Sequence, residues 1–119
     1  MRYLFLFMII LKCSNLLAMD MERLKIFSNC QVAAHMASAD SQIRGNYNQT
    51  QFWDKYANKV SNKFYGEIDG LDFSKQKFWI TMYNDFNQSQ LNQYTTMGEY
   101  GMRFAANTLG SSDCVGLSK

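Results

Sequence analysis

The chain contains no proline among its 119 residues, whereas an ordinary sequence of this length has about six. Because proline kinks helices and interrupts sheets, its absence favours long uninterrupted elements, above all helices. The chain also has no low-complexity tract, and 15% of its residues are aromatic. Such a composition can bury a core, which excludes a disordered chain, a collagen-like chain or a linker. The length allows one domain.

Long hydrophobic runs are also scarce, and the one present lies at the start of the chain. A positive charge at Arg2 precedes nine consecutive apolar residues, 3–11, and a polar stretch that ends at the small residue Ala18. A membrane-spanning helix needs about 20 apolar residues, and Lys12 interrupts this run. The sequence therefore predicts that residues 1–18 are a cleaved signal peptide, with export to the periplasm or outside the cell and no stable membrane anchor afterwards.

An excess of charge of one sign is missing from the mature chain. Cleavage after Ala18 removes Arg2 and Lys12 from the twelve basic residues, so ten basic and ten acidic residues remain. A nucleic acid needs a basic patch that neutralises its phosphates. We therefore predict no nucleic-acid partner.

Cysteine is rare, and the same cleavage leaves only Cys30 and Cys114. An even cysteine count in an exported protein predicts a disulfide. Closing a loop of about 85 residues would stabilise the domain by roughly 4 to 5 kcal/mol. The alternative is a buried free thiol at Cys30 and a loose one at Cys114. Nothing resembles a Cys-x-x-Cys motif, so we predict no redox role for either cysteine.

Apolar residues in the mature chain follow helical periodicity and show no strand pattern. The clearest helix places Trp53, Tyr56, Val60 and Phe64 on one side. We predict an all-α, small four-helix bundle-like domain over residues 19–119, stapled by one disulfide. The expected helices are about 20–39, 50–66, 73–86 and 89–109, joined by a loop at 40–48, a turn at 66–72 and an interruption at 84–89. Residues 110–119 are expected to form a short flexible tail.

Catalytic groups are few. His35 is the only histidine, and five residues of helix rotate it about 140° away from Cys30, which excludes a Cys-His pair. No metal-ligand spacing or phosphate-binding loop is present. Glu67, Asp69 and Asp72 form an acidic cluster that is typical of a solvated turn, with an acid/base pair as the alternative. We predict no cofactor and no metal.

The aromatic side chains indicate where a partner could bind. The apolar face of the third predicted helix spans about 200°, which is wider than one packing stripe. This helix either lies at the centre of the bundle or keeps part of its aromatic surface for binding. Exposed tyrosines are common anchors at protein interfaces. The candidate partner-binding residues are Tyr47, Tyr65, Trp79, Tyr83 and Tyr100.

Three functions remain open. The sequence favours an exported, non-enzymatic protein that recognises another protein, as an inhibitor, an immunity or antidote protein, or a small chaperone. The alternative is a carrier of a small apolar ligand held between helices, which the broad aromatic face would suit. A distant alternative is a hydrolytic enzyme that uses the acidic turn 67–72.

Overall fold

The computed structural model describes residues 19–119, and the predicted signal peptide, residues 1–18, lies outside them. The described part of the chain is all-helical, which confirms the predicted all-α class, but it has five helices where the sequence predicts four. No helix in this part is long and apolar enough to cross a membrane. The five helices are α1 (Met21–Ile43), α2 (Tyr47–Ile68), α3 (Phe73–Met97), α4 (Glu99–Leu109) and α5 (Ser112–Leu117).

Helix α1 lies at the centre of the domain. It contacts each of the other four helices, and Ala33 and Ala34 are fully buried. Small side chains such as these let neighbouring helices approach α1 closely. The third predicted helix does not have the central position that its broad aromatic face allows. The buried residues of α1 are Leu24, Phe27, Ser28, Cys30, Val32, Ala33, Ala34, Ser38 and Ser41.

The loop between α1 and α2 is shorter than predicted. Helix α1 continues to Ile43, and Gly45 makes the turn with a φ of +73°, a conformation that suits glycine. The Asn46 side chain caps α2 by accepting a hydrogen bond from the Gln49 backbone N–H at 3.2 Å. Tyr47 is therefore the first residue of a helix, whereas the sequence predicts a loop there.

Helix α2 is the amphipathic helix that the sequence predicts. Its buried residues follow the predicted stripe, and the helix extends two residues beyond Gly66, to Ile68. Gly66 is tolerated inside the last turn because glycine lowers helix stability by only about 1 kcal/mol relative to alanine. The buried residues of α2 are Tyr56, Ala57, Val60, Phe64 and Ile68.

The predicted interruption at 84–89 is wrong, because α3 continues through it to Met97. Asn, Asp, Gln and Ser each lower helix stability by about 0.7 kcal/mol or less, and this stretch contains no glycine to end the helix. The break comes at Gly98, where φ is +60° and an L side chain would be strained. The predicted fourth helix, 89–109, is thus divided between α3 and α4.

The end of the chain is attached to α1 by the predicted disulfide. Cys30 and Cys114 are bonded, with their Cα atoms 5.4 Å apart and 84 residues apart in sequence. Ser111 caps α5 through its side chain, and Cys114 is fully buried. Residues 110–119 therefore contain a helix bonded to α1, where the sequence predicts a flexible tail.

Candidate functional site

A groove of about 740 Å³ lies between the carboxyl end of α1, the amino end of α2 and helix α4. We call it the α4 groove. Its position follows from the short α1–α2 turn, which brings the ends of those two helices together, and from Gly98, which redirects the chain into α4. The apolar side chains that line the groove are Ala37, Trp53, Met102, Ala106 and Leu109.

Two arginines also line the α4 groove, Arg44 and Arg103. The Arg44 Nε atom lies 3.1 Å from the Asp40 carboxylate, and 74% of the Arg44 side chain is exposed. Arg103 is exposed and forms no ion pair with any of residues 19–119. Asp40 is the single acidic residue in the lining, so the groove carries one excess positive charge.

Three exposed apolar side chains are next in sequence to residues that line the groove: Ile43 precedes Arg44, Tyr47 follows Asn46 and Phe52 precedes Trp53. Ile43 is 87% exposed, Tyr47 is 72% exposed and Phe52 is 59% exposed. The Phe52 ring lies edge-on to the Trp53 ring, with the centroids 4.8 Å apart. We call Ile43, Tyr47 and Phe52 the apolar rim. Tyr47 and Phe52 are five residues apart on α2 and therefore point about 140° away from each other, so the rim consists of separate exposed side chains and not of one continuous patch.

The structure brings Tyr47 to the rim, but it separates the other four predicted partner-binding residues from the α4 groove. Tyr65 and Tyr100 are exposed, and neither they nor Tyr47 line the groove. Trp79 is half-buried against the core. Tyr83 requires a correction, because its side chain is 1% exposed and lies inside the domain.

The burial of Tyr83 results from its contact with α2. Its ring stacks on the Phe64 ring, with centroids 4.0 Å apart and an interplanar angle of 19°. Burial raises the pKa of the Tyr83 hydroxyl. A ring in this position supports the core and cannot contact a partner.

Sequence reasoning missed most residues of the groove and its rim. Trp53 lies on the apolar stripe of α2, so the pattern assigns it to the core, although it is half-buried and lines the groove. Ile43 and Phe52 lie off the buried stripes of their helices. An apolar residue of this size on a polar helix face is the signal that could have identified the rim.

The acidic turn 67–72 has structural roles. Glu67 accepts hydrogen bonds from the Arg23 guanidinium, through Nε at 3.0 Å and through Nη2. This ion pair raises the pKa of Arg23. Asp72 caps α3 by accepting from the Lys75 backbone N–H at 2.9 Å. Two of the three acids are thus engaged in ion pairing and capping, which leaves no free acid/base pair in the turn.

No group of three or more His, Cys, Asp and Glu side chains between residues 19 and 119 is placed to hold a metal ion. His35 is exposed on α1. Cys30 and Cys114 are joined in the disulfide. The arrangement is suited to binding through the groove and rim.

Comparisons with known proteins find no match to the chain among protein-family models, curated proteins or solved structures. The function of this chain is therefore inferred from its own residues. The α4 groove, its two arginines and the apolar rim are the features on which it rests.

Proposed function

We propose that this chain is an exported, non-enzymatic binding protein that recognises another protein through the α4 groove and the apolar rim. The observation that carries the proposal is the α4 groove with its apolar lining, together with the exposure of Ile43, Tyr47 and Phe52, which are next in sequence to lining residues. Leaving such side chains in water costs roughly 1.5 to 3 kcal/mol each relative to burial. A protein surface that covers them recovers this free energy.

The composition of the surface also suits protein recognition. Tyrosine and arginine are enriched among the residues that contribute most to protein–protein affinity. Tyr47 lies at the rim, and Arg44 and Arg103 lie in the groove. An inhibitor, an immunity or antidote protein, or a small chaperone would each use such a surface.

Export to the periplasm or outside the cell is part of the proposal. Its support is the Cys30–Cys114 disulfide, which persists in oxidising compartments and is rare in the cytosol. The signal-peptide pattern of residues 1–18 points to the same compartment. We therefore propose that the functional protein is the chain that follows Ala18.

Protein binding is favoured over carriage of a small apolar ligand. The carrier hypothesis depends on the aromatic face of α3, and no α3 side chain lines the α4 groove. Tyr83 is buried and Phe86 packs against the core, whereas Phe78 is 53% exposed on the surface. The aromatic residues of α3 are thus divided between core and surface.

The test uses two tryptophan substitutions on neighbouring residues of α4. Ala106 lines the α4 groove, and Asn107 is exposed next to it without lining the groove. The exported protein and its Ala106→Trp and Asn107→Trp variants are immobilised and incubated with the exported proteins of the cells that make it. We expect one stoichiometric partner that binds the wild type and Asn107→Trp but is lost with Ala106→Trp.

Other outcomes contradict the proposal. Equal binding of the partner by both variants would show that the groove is not the binding site. Bound lipid in place of a protein partner would support the hypothesis of a small-ligand carrier. Intact-mass measurement tests export separately, since the exported chain should begin after Ala18 and contain no free thiol. Retention of residues 1–18 or two free thiols would overturn the export argument.

A further inference from the structure

We infer that the α4 groove selects an acidic segment of the partner, with a carboxylate at Arg44 and Arg103 and an apolar side chain against Trp53. This inference rests on the proposed function and adds the chemistry of the partner. Its basis is that two arginines and an apolar lining belong to one groove.

The arginines have hydrogen-bonding capacity left over for a ligand. A guanidinium group has five N–H donors in a fixed planar fork. Arg44 engages Asp40 through its Nε atom at 3.1 Å, and Arg103 forms no ion pair within the described part of the chain. A carboxylate matches this donor geometry and can accept two parallel hydrogen bonds from one arginine.

The lining of the groove carries a net positive charge. The chain after Ala18 is formally neutral, whereas the groove lining has two basic residues and one acidic residue. An acidic segment is therefore attracted and a basic segment is repelled. Asp40 offsets part of this preference, because its carboxylate already pairs with Arg44, and Arg103, which is unpaired within residues 19–119, contributes the larger share of the attraction.

The apolar lining accounts for the second part of the ligand. Trp53 and Met102 are half-buried and present apolar surface to the groove. Methionine adapts its shape to different side chains because it is unbranched and flexible. A leucine or phenylalanine next to the acidic residue would cover this surface while the carboxylate reaches the arginines.

The experiment selects binders from a library of random twelve-residue peptides, using the intact protein purified after export as the immobilised target. We expect enrichment of peptides in which Asp or Glu lies within a few positions of a large apolar residue. The selected peptide is then measured against Arg44→Gln and Arg103→Gln, each of which should weaken binding roughly tenfold through loss of a charged hydrogen bond. Lys77→Gln, an exposed position on α3 outside the groove, is the matched control and should leave the affinity unchanged.

A measurement on the peptide makes the result independent of variant folding. Replacement of its acidic residues by the corresponding amides should reproduce the loss seen with the arginine variants, and added salt should weaken the wild-type complex. Enrichment of apolar or basic peptides, an affinity unaffected by both arginine variants, or no enrichment would overturn the inference. If a partner is nevertheless lost with Ala106→Trp, the proposed function stands and only its acidic specificity fails.

Discussion

The Tyr56 hydroxyl of α2 donates a 2.7 Å hydrogen bond to the backbone carbonyl of Cys114 in α5. The sulfur of Cys114 is bonded to Cys30 of α1. Three helices thus meet at one buried point, and α5 is held both by a covalent bond and by a hydrogen bond. The short last helix, with six residues, depends on these two attachments, since so short a helix is marginal in isolation.

Removal of the disulfide should cost much of the domain's stability. We expect Cys30→Ala/Cys114→Ala to lower the free energy of unfolding by roughly 4 kcal/mol, because the unfolded chain loses a long closed loop. Urea unfolding followed by circular dichroism measures the change. The reduced wild type is the control, and it should be destabilised similarly. A reduced protein as stable as the oxidised one would contradict the prediction.

Two buried tyrosines should respond differently to loss of their hydroxyl groups. Tyr56→Phe removes the hydrogen bond to Cys114 and should lower the free energy of unfolding by about 1 kcal/mol. The Tyr83 hydroxyl is buried close to the Asn87 side chain but forms no hydrogen bond of normal geometry with any described residue, so Tyr83→Phe should cost less stability than Tyr56→Phe. Urea unfolding of both variants gives the comparison. A Tyr83→Phe variant as unstable as Tyr56→Phe would show that this hydroxyl has a partner.

The same two tyrosines should make the fold sensitive to alkali. Burial raises the pKa of Tyr56 to about 12, from about 10 in the unfolded chain, and burial raises the pKa of Tyr83 as well. Their stabilising contribution is complete below pH 10. It is lost as the pH rises toward 12, because the unfolded chain releases phenolic protons that the folded chain retains.

Unfolding free energies measured between pH 9 and pH 12 should therefore fall, and Tyr56→Phe/Tyr83→Phe should flatten the decline. Tyr100→Phe is the matched control, since its ring is 70% exposed. Recovery of the fold on return to pH 8 verifies that the disulfide survives. If the unfolding free energy of the double variant falls equally steeply with pH, groups other than these two tyrosines cause the alkaline sensitivity.

Two glycines inside helices should respond oppositely to alanine. A Cβ atom at Gly101 would lie 2.3 Å from the Tyr94 backbone oxygen, so Gly101→Ala should destabilise the α3–α4 contact by about 1 to 3 kcal/mol. A Cβ atom at Gly66 meets no atom within 4 Å, and Gly66→Ala should stabilise α2 by up to about 1 kcal/mol. Thermal unfolding of both variants tests this, and a neutral Gly101→Ala would contradict the close contact.

Local pattern was sufficient for α2 and for the disulfide. The stripe through Tyr56, Val60 and Phe64 needs only a repeating apolar position to predict a half-buried helix, and the structure buries those residues. Two cysteines after residue 18 allow only one intramolecular pairing, so the Cys30–Cys114 disulfide could be predicted without knowledge of the fold.

Local pattern was insufficient for α3. Its polar stretch at 84–89 weakens the helix by small increments, and the packing of α3 on α1 outweighs them. Tyr83 was predicted to contact a partner, but its burial depends on Phe64, a residue of another helix. Periodicity describes which face of a helix is apolar and does not state which neighbouring helix covers it.

The sequence by itself determined the all-α class and the pair of cysteines that closes the domain, because helix periodicity and cysteine count are local or compositional properties. Only the tertiary structure decided that α1 is central and that the α4 groove exists. Ala37, Trp53 and Leu109 line that groove from three different helices. Their meeting depends on how the helix ends pack, which is set by contacts between residues distant in the chain.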